Sequence, residues 1–494
     1  MTDHENSEAL LHSLQAIFDH QKIAFSRCTP LSLRHRLEAL SNLLQSIVNH
    51  GNELIQAASA DFGHRAAAET HILELFPLID EIRFVKRNLR RWMKPHSVAA
   101  NWQFLPSRAK ILSQPLGVVG VVGAGNYPIL LTLSPLANAL AAGNHVMVKP
   151  SEQAPLTAEL IRRIIAEAFP EEYVAVILGD KKIASAFSTL PFDHLLFTGS
   201  ASVGKLVMKA AAENLTPVTL ELGGKSPALV HESYPMAISA DRICSAKFWN
   251  AGQTCVAPDY ALVPAHKKDE FISACEASIA KRFSSFFTNP DYSHMISQSA
   301  WDRMRALVDD ARSRGARIIQ SDSPQENIPG SSGRPFPPTL IVGADDSMHV
   351  MQAEIFGPIL PVVTYSSFDE ALSYINARPR PLALYYFDNS QSRARRVLEQ
   401  TTSGGAVIND CIFHFAQHEL PFGGVGPSGM GAYHGHEGFK TFSQRKGVFI
   451  QSAVVGSLLD RFMKPPYTPA TERVIRVLLG RSSARPIQRI QLPE

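Results

Sequence analysis

Apolar residues recur at helical spacing in LEALSNLLQSIVNHGNELIQAASADF (37–62) and again in HILELFPLIDEIRFVKRNLRRWM (71–93), which predicts helices through most of the first hundred residues. NWQFLPSRAKILSQP (101–115) is short, polar and aromatic by turns, and reads as a hairpin projecting between units. From Gly117 to about Leu222 the pattern changes. Short apolar runs (GVVGVV, HVMVKP, YVAVIL, DHLLFTG, VTLEL) alternate with helical stretches such as TAELIRRIIAEAF and SVGKLVMKAAAEN. That alternation predicts parallel strands with crossover helices, an open α/β sheet whose ligands sit at the carboxyl ends of its strands, and hence a nucleotide domain. A second α/β stretch follows: helices through DRICSAKFWN and KKDEFISACEASIAKRF, strands at DYALVP, TLIVG and LPVVTY, and a Ser/Pro/Gly-rich loop at SDSPQENIPGSSGRPFPP.

One segment imitates a membrane span, because no Asp, Glu, Lys or Arg occurs from Ile111 to Val148. Gly123, Gly125, Asn126 and Pro128 punctuate it, dividing it into a buried strand (about Gly117 to Val122) and a buried helix (about Ile129 to Ala142). The tail from Phe449 joins a modest apolar stretch to Arg461, Arg473, Arg476, Arg481, Arg485 and Arg489. It reads as a docked or frayed terminus, with a surface-binding helix as the alternative.

With 494 residues, 45% of them hydrophobic, the chain exceeds what one core usually organises. Its 48 basic and 45 acidic residues nearly balance, so there is no chain-wide electrostatic footprint for nucleic acid. Cys28, Cys244, Cys255, Cys275 and Cys411 are an odd set without metal-ligand spacing, which fits a reducing, cytoplasmic compartment. The start, MTDHENSEALLH, lacks the basic and apolar regions of a signal peptide.

Two glycine patterns fail on inspection. Gly199 to Lys205 opens like a phosphate-cradling P-loop, yet Leu206 stands where the magnesium-binding hydroxyl belongs. Gly123-Ala124-Gly125 follows a strand like a dinucleotide fingerprint, but its third glycine position is Pro128. Cys255, in NAGQTCVAP between Gly252 and Pro258, lies on irregular backbone between a helix and a strand, a place suited to an exposed nucleophile. A lone cysteine is inert more often than reactive, so by itself this is a weak signal. Glu221 ends an apolar strand in LELGGKSP, so it faces a cleft or is paired, and a structural carboxylate is equally open.

Taken together these blocks resemble the aldehyde dehydrogenase superfamily from about residue 70 to 450. Glu221 and Cys255 have that family's spacing, and NYP (Asn126 to Pro128), KPSE (Lys149 to Glu152), FTGSASVG (Phe197 to Gly204), EIFGP (Glu354 to Pro358) and PFGGVGPSGMG (Pro421 to Gly431) follow in its order. HFAQHELPFGGVGPSGMGAYHGHEGFKTFS and the later FMKPPY resemble its class 3 and fatty aldehyde branch, coniferyl aldehyde dehydrogenases above all. The resemblance implies an α/β fold: a Rossmann-like NAD-binding domain (1–95 and 115–222), an α/β catalytic domain (223–410), and a small β bridging and oligomerisation element with the C-terminal tail (96–114 and 411–494). It implies NAD(P)-dependent oxidation of an aldehyde, aromatic or bulky, to the acid. Cys255 would form the thiohemiacetal and thioester, Asn126 stabilise the oxyanion, and Glu221 activate the hydrolytic water. Lys149 and Glu152 would hold the adenosine ribose, Gly199, Ser200 and Gly204 the diphosphate, and Glu354 and Phe356 the nicotinamide ribose. For Lys149 and Glu152 the residues alone suggest a surface ion pair instead.

A carboxylate at 152 suits free ribose hydroxyls, which favours NAD while leaving NADP open. The resemblance further implies a homodimer sharing a sheet extended near Asn101 to Leu112. Many relatives carry Pro-Trp before the asparagine where this chain has Ala124-Gly125, which predicts a roomier substrate pocket. Two other readings stand beside this one. CoA-acylating semialdehyde dehydrogenases share the cysteine but usually lack the glutamate, so Glu221 argues against them. A catalytically silent nucleotide-binding homologue would keep the fold without turnover.

Overall fold

The computed structural model describes residues 3–28, 30–320, 334–453 and 464–479. The chain divides into two compact units, Met1–Trp92 with Gln114–Gln444, and Met93–Ser113 with Arg445–Glu494. Its strands begin with β1 (His96–Val98), β2 (Arg108–Pro115), β3 (Val118–Val122), β4 (His145–Lys149), β5 (Val174–Val176), β6 (His194–Gly199) and β7 (Val218–Leu222). Next come β8 (Pro227–Val230), β9 (Tyr260–Pro264), β10 (Arg317–Gln320), β11 (Thr339–Val342) and β12 (Ile359–Tyr365). The last are β13 (Ala383–Phe387), β14 (Gly405–Ile408), β15 (Gly429–Met430) and β16 (Ser443–Ile450).

The larger unit contains two sheets. The first has the order β15-β7-β6-β3-β4-β5, parallel except for β15. Every residue of β3 and β4 is buried, as expected of parallel strands covered on both faces, so their apolar runs are continuous rather than alternating. The second sheet runs β10-β11-β12-β9-β8-β13-β14, with only β10 antiparallel. The strands expected at DYALVP, TLIVG and LPVVTY are β9, β11 and β12. Most of the loop expected at 321–338 lies outside the described residues.

The uncharged run becomes β3, a loop, a helix at Leu130–Ala142 buried at every position, and β4. Gly143 ends that helix at φ 92°, where the Arg36 guanidinium donates to the carbonyls of Ala141 (3.1 Å) and Ala142 (2.7 Å) and meets the negative end of the helix dipole. Among the described residues no helix is long and apolar enough to cross a membrane. The first helical stretch breaks at His50 into Leu33–Asn49 and Gly51–Phe62. The second contains a π-helical turn, His71–Leu75, in which Glu74 is fully buried despite the apolar company.

Residues 411–444, expected with the bridging element, fall in the larger unit. β15 pairs with β7, Gly429 opposite Glu221, and the helix Gly435–Thr441 packs so closely that a Cβ on Gly438 would lie 2.5 Å from Asn138. The smaller unit holds the sheet β1-β2-β16, a helix at Pro469–Leu478, and an edge-to-face contact of Phe104 with Phe449. Of the hairpin expected at 101–115 only β2 lies in that stretch; its antiparallel partner β1 comes earlier, with Ser97 opposite Lys110, and residues 102–104 form a helical turn between them. Of the tail, 454–463 and 480–494 lie outside the described residues.

Candidate active site

Parallel register brings the candidate residues to one end of the first sheet. Val122 lies opposite Lys149 and Phe197, and Thr198 opposite Glu221, so the loops carrying Asn126, Lys149 to Glu152 and Gly199 to Gly204 all leave from that edge. Asn126 is buried. Its Nδ2 donates to the Gln253 carbonyl at 3.0 Å, and its own carbonyl accepts from Asn250 Nδ2 at 3.0 Å.

Cys255 follows a strained turn at the end of the helix Met236–Phe248. Asn250 and Ala251 take φ of 51° and 49°, and Gly252 takes 72°, where a Cβ would lie 2.2 Å from the Gly357 carbonyl oxygen. Such conformations cost about 1–3 kcal/mol for each non-glycine residue and persist only where the surroundings over-determine them. Here they do. The Glu69 carboxylate accepts from Asn250 N at 3.2 and 3.1 Å. Fully buried Gln253 donates to Asn250 O (2.9 Å) and His294 O (3.1 Å) and accepts from Ile296 N (2.9 Å). Thr254 Oγ1 pairs with the Tyr127 hydroxyl at 2.6 Å, and the Tyr385 hydroxyl donates to the Val256 carbonyl. Beneath lies the buried pair Arg65–Glu74 (2.6 Å). Glu74 also accepts from Ile129 N and Leu130 N at 2.8 and 3.0 Å, fixing the start of the helix after Asn126.

Cys255 lines a cavity whose wall mixes the aromatic rings of Tyr127, Phe415, Phe422 and Tyr433 with aliphatic side chains such as Leu73 and Leu130. Burial pushes this thiol well above the ordinary cysteine range, and the facing Glu221 adds to the rise. Glu221 is 1% exposed, and neither carboxylate oxygen makes a well-formed hydrogen bond. Burial raises its pKa to about 7, against a smaller lowering by the Cys255 thiol. A carboxyl near neutrality is suited to taking a proton at physiological pH.

Glu354, partly buried, is pushed up to about 8, by burial first and then by the carboxylates of Asp259 and Glu221. Its loop is anchored by Asp259, which accepts from Ile355 N at 2.9 Å, and by Arg303, which donates to the Glu354 carbonyl at 3.2 Å and to that of Ile355. Phe356 takes φ 48° within it. The absence of a side chain at Gly223 admits the Glu354 carboxylate, since a Cβ there would lie 1.9 Å from Oε2. Gly223→Ala is therefore expected to expel Glu354 and weaken dinucleotide binding about tenfold or more, read as an increase in cofactor KM.

Lys149 is 1% exposed, which rules out a surface ion pair. Its ammonium donates to Pro150 O at 2.9 Å and to Glu152 Oε2 at 3.4 Å, leaving one of three N–H groups for a ligand, and burial lowers its pKa. Ser200 caps the helix Ala201–Ala212, accepting from Val203 N at 3.4 Å. Gly204 seats that helix on Leu222, whose Cδ2 would lie 2.7 Å from a Cβ at position 204. At the same edge the Thr198 hydroxyl is buried without a partner. An open helix N-terminus, a spare lysine donor and an orphaned hydroxyl fit a dinucleotide's phosphates and ribose. Gly125 does not enlarge the cavity as expected. A Cβ there would meet Gln153 Cβ at 2.9 Å and Ser151 Oγ at 3.1 Å, on the Lys149 side, and neither Ala124 nor Gly125 lines the cavity wall.

A sequence model of the aldehyde dehydrogenase family matches residues 7–448. A probable coniferyl aldehyde dehydrogenase of Pseudomonas aeruginosa is 46% identical over 477 residues, 97% of this chain and 98% of the relative. Among solved structures, the substrate-bound state of Staphylococcus aureus AldH superposes with a TM-score of 0.87 at 35% identity, covering 94% of this chain and 99% of that one. A Mycobacterium tuberculosis aldehyde dehydrogenase complexed with NAD+ gives 0.82 at 26% identity, covering 90% and 91%. The chain belongs to the aldehyde dehydrogenase family. It is an oxidoreductase that converts an aldehyde to the carboxylic acid with NAD(P), and its α/β architecture is that family's fold.

Five participants escape a reading of the sequence: Arg65, Glu69, Glu74, Gln253 and Tyr433. The one local signal is acidic: Glu69 and Glu74 interrupt an otherwise apolar helical face, and a carboxylate there must be paired.

Proposed function

We propose that Cys255 is the nucleophile, Glu221 the general base and Asn126 an oxyanion donor for oxidation of an aromatic or bulky hydrophobic aldehyde. The observation that carries this reading is a buried carboxyl without a good partner facing a cysteine that lines a largely apolar cavity. The Cys255 thiol releases its proton to solvent and its sulfur adds to the aldehyde carbon, forming a C–S bond and an oxyanion. The second N–H of Asn126, whose first is anchored on Gln253 O, and the Cys255 backbone N–H meet that oxyanion, each donor contributing about 3 kcal/mol at the transition state. NAD(P), when bound, would accept the hydride from the carbon of this adduct, which would leave a thioester. Glu221 then takes a proton from water, which attacks the acyl carbon. The C–S bond breaks, acid leaves, and the thiol is restored.

Lys149 and Glu152 would hold the adenosine ribose, Gly199, Ser200 and Gly204 the diphosphate, and Glu354 and Phe356 the nicotinamide ribose. The Glu152 carboxylate beside Lys149 supports NAD over NADP, because it would repel a 2′-phosphate. Aromatic lining supports an aromatic substrate, as does the name of the Pseudomonas aeruginosa relative. The expected result of an aldehyde panel with both cofactors is a kcat/KM for coniferaldehyde or benzaldehyde at least about tenfold above that for acetaldehyde. A preference for the two-carbon substrate would reject the bulky-substrate reading.

A homodimer is supported by the small sheet β1-β2-β16, whose unit carries exposed Trp102, Leu105 and Ile450. A cytoplasmic site of action is supported by five free cysteines.

A further inference from the structure

Attack by Cys255 requires its thiolate, yet burial and two carboxylates, Glu221 and Glu354, oppose that charge. The other titratable groups that interact with Cys255 are three phenols: Tyr127 after β3, Tyr385 on β13 and Tyr433 after β15. None of these five groups is a cation, and what favours the thiolate is a neutral donor, the backbone N–H of Cys255. Tyr127 is committed to Thr254 Oγ1 at 2.6 Å, and Tyr385 to the Val256 carbonyl. Tyr433 alone has a hydroxyl with no partner, although its residue is fully buried. A buried, unpaired phenol ordinarily costs about 1–3 kcal/mol, so its hydroxyl calls for an acceptor that the resting contacts do not show.

Backbone geometry places this residue firmly. β15 pairs with the strand of Glu221, and three residues on Tyr433 is clamped to Phe422 by reciprocal backbone bonds of 3.1 and 2.9 Å. Its ring lines the same cavity as Cys255. Glu221 acts on it more strongly than Cys255 does, and Glu81 and His434 also surround it, the His434 ring centre lying 4.4 Å away with its pKa lowered by burial.

We propose that the Tyr433 hydroxyl is the positioning donor that stabilises the Cys255 sulfur as a thiolate and orients it toward the cavity. This rests on the reading of Cys255 as nucleophile. The donor keeps its proton throughout. It strengthens its bond as charge collects on sulfur and relaxes when the sulfur is acylated.

The test is the pH dependence of iodoacetamide alkylation at Cys255 in the full-length protein, followed by peptide mass spectrometry, with the melting temperature measured alongside. Tyr433→Phe removes only the hydroxyl and is expected to raise the alkylation pKa by about one unit, slowing alkylation about tenfold at neutral pH, with no loss of thermal stability. Fluorinated tyrosine at 433, a stronger donor, should move the same pKa down, and it keeps the test decisive if the phenylalanine variant folds poorly. An unchanged alkylation profile in either folded variant would overturn the proposal. Turnover surviving in Cys255→Ala would instead overturn the nucleophile assignment, so the two failures are distinguishable.

Discussion

Cys255→Ala is expected to lose NAD(P)H formation from every aldehyde by about 10⁴-fold or more, while dinucleotide binding, followed by fluorescence titration, stays within about twofold of the parent. The loss is large because no second nucleophile lines the cavity: besides Cys255 its wall offers Thr254, engaged with Tyr127, and otherwise aromatic, aliphatic and imidazole groups. Binding survives because Lys149, Ser200 and Glu354 belong to other loops, each with its own anchors. Fold should survive too, since the turn before Cys255 is held by Glu69 and Gln253, and the residue after it by Tyr385, not by the sulfur. A variant that keeps more than a few per cent of turnover would remove the thioester from the reaction.

Glu221→Gln should separate the two halves of that reaction. Acylation still yields a burst of NAD(P)H equal to the enzyme present, but steady-state turnover falls about 10²–10⁴-fold because the hydrolytic water has lost its base. In the parent, deacylation should rise with pH through about 7, where the buried carboxyl loses its proton, and this limb should vanish in the variant. The same substitution has an opposite effect on stability. A carboxyl whose folded-state pKa lies above its unfolded value of about 4.5 opposes folding increasingly as pH climbs from there to about 7, and fully above it. For a carboxyl this deeply buried the penalty is on the order of 3 kcal/mol. Glu221→Gln is therefore expected to raise the melting temperature at pH 8 and to leave it nearly unchanged at pH 4. A gain independent of pH would contradict the raised pKa, and a missing burst would contradict the division of roles.

Much of this was legible along the chain. The strands read from apolar runs between Gly117 and Leu222 are β3 to β7, because parallel strands buried on both faces need continuous apolar sequence. β8, β13 and β14 escaped notice. β8 has only four residues and starts at Pro227, and β13 begins just after Pro381, so neither announces itself by alternation. The residues proposed for chemistry could be named from their blocks, but not what surrounds them. Lys149 resembled half of a surface ion pair and is buried, and Gly125 seemed to open the substrate cavity but faces Gln153.

The sequence by itself determined the alternation of strand and helix, the order of the blocks, and the pairing of a strand-end glutamate with a cysteine on irregular backbone. These are local properties, carried by periodicity and by glycine and proline a few positions away. Only the tertiary structure decided that Glu221 lacks a good hydrogen bond, that Arg65 and Glu74 brace the loop of Asn126 from beneath, and that Tyr433 keeps an unused hydroxyl at the cavity that Cys255 lines. Whether a polar group is satisfied depends on atoms contributed by segments that folding brings together from distant parts of the chain, and spacing along a chain carries no record of them.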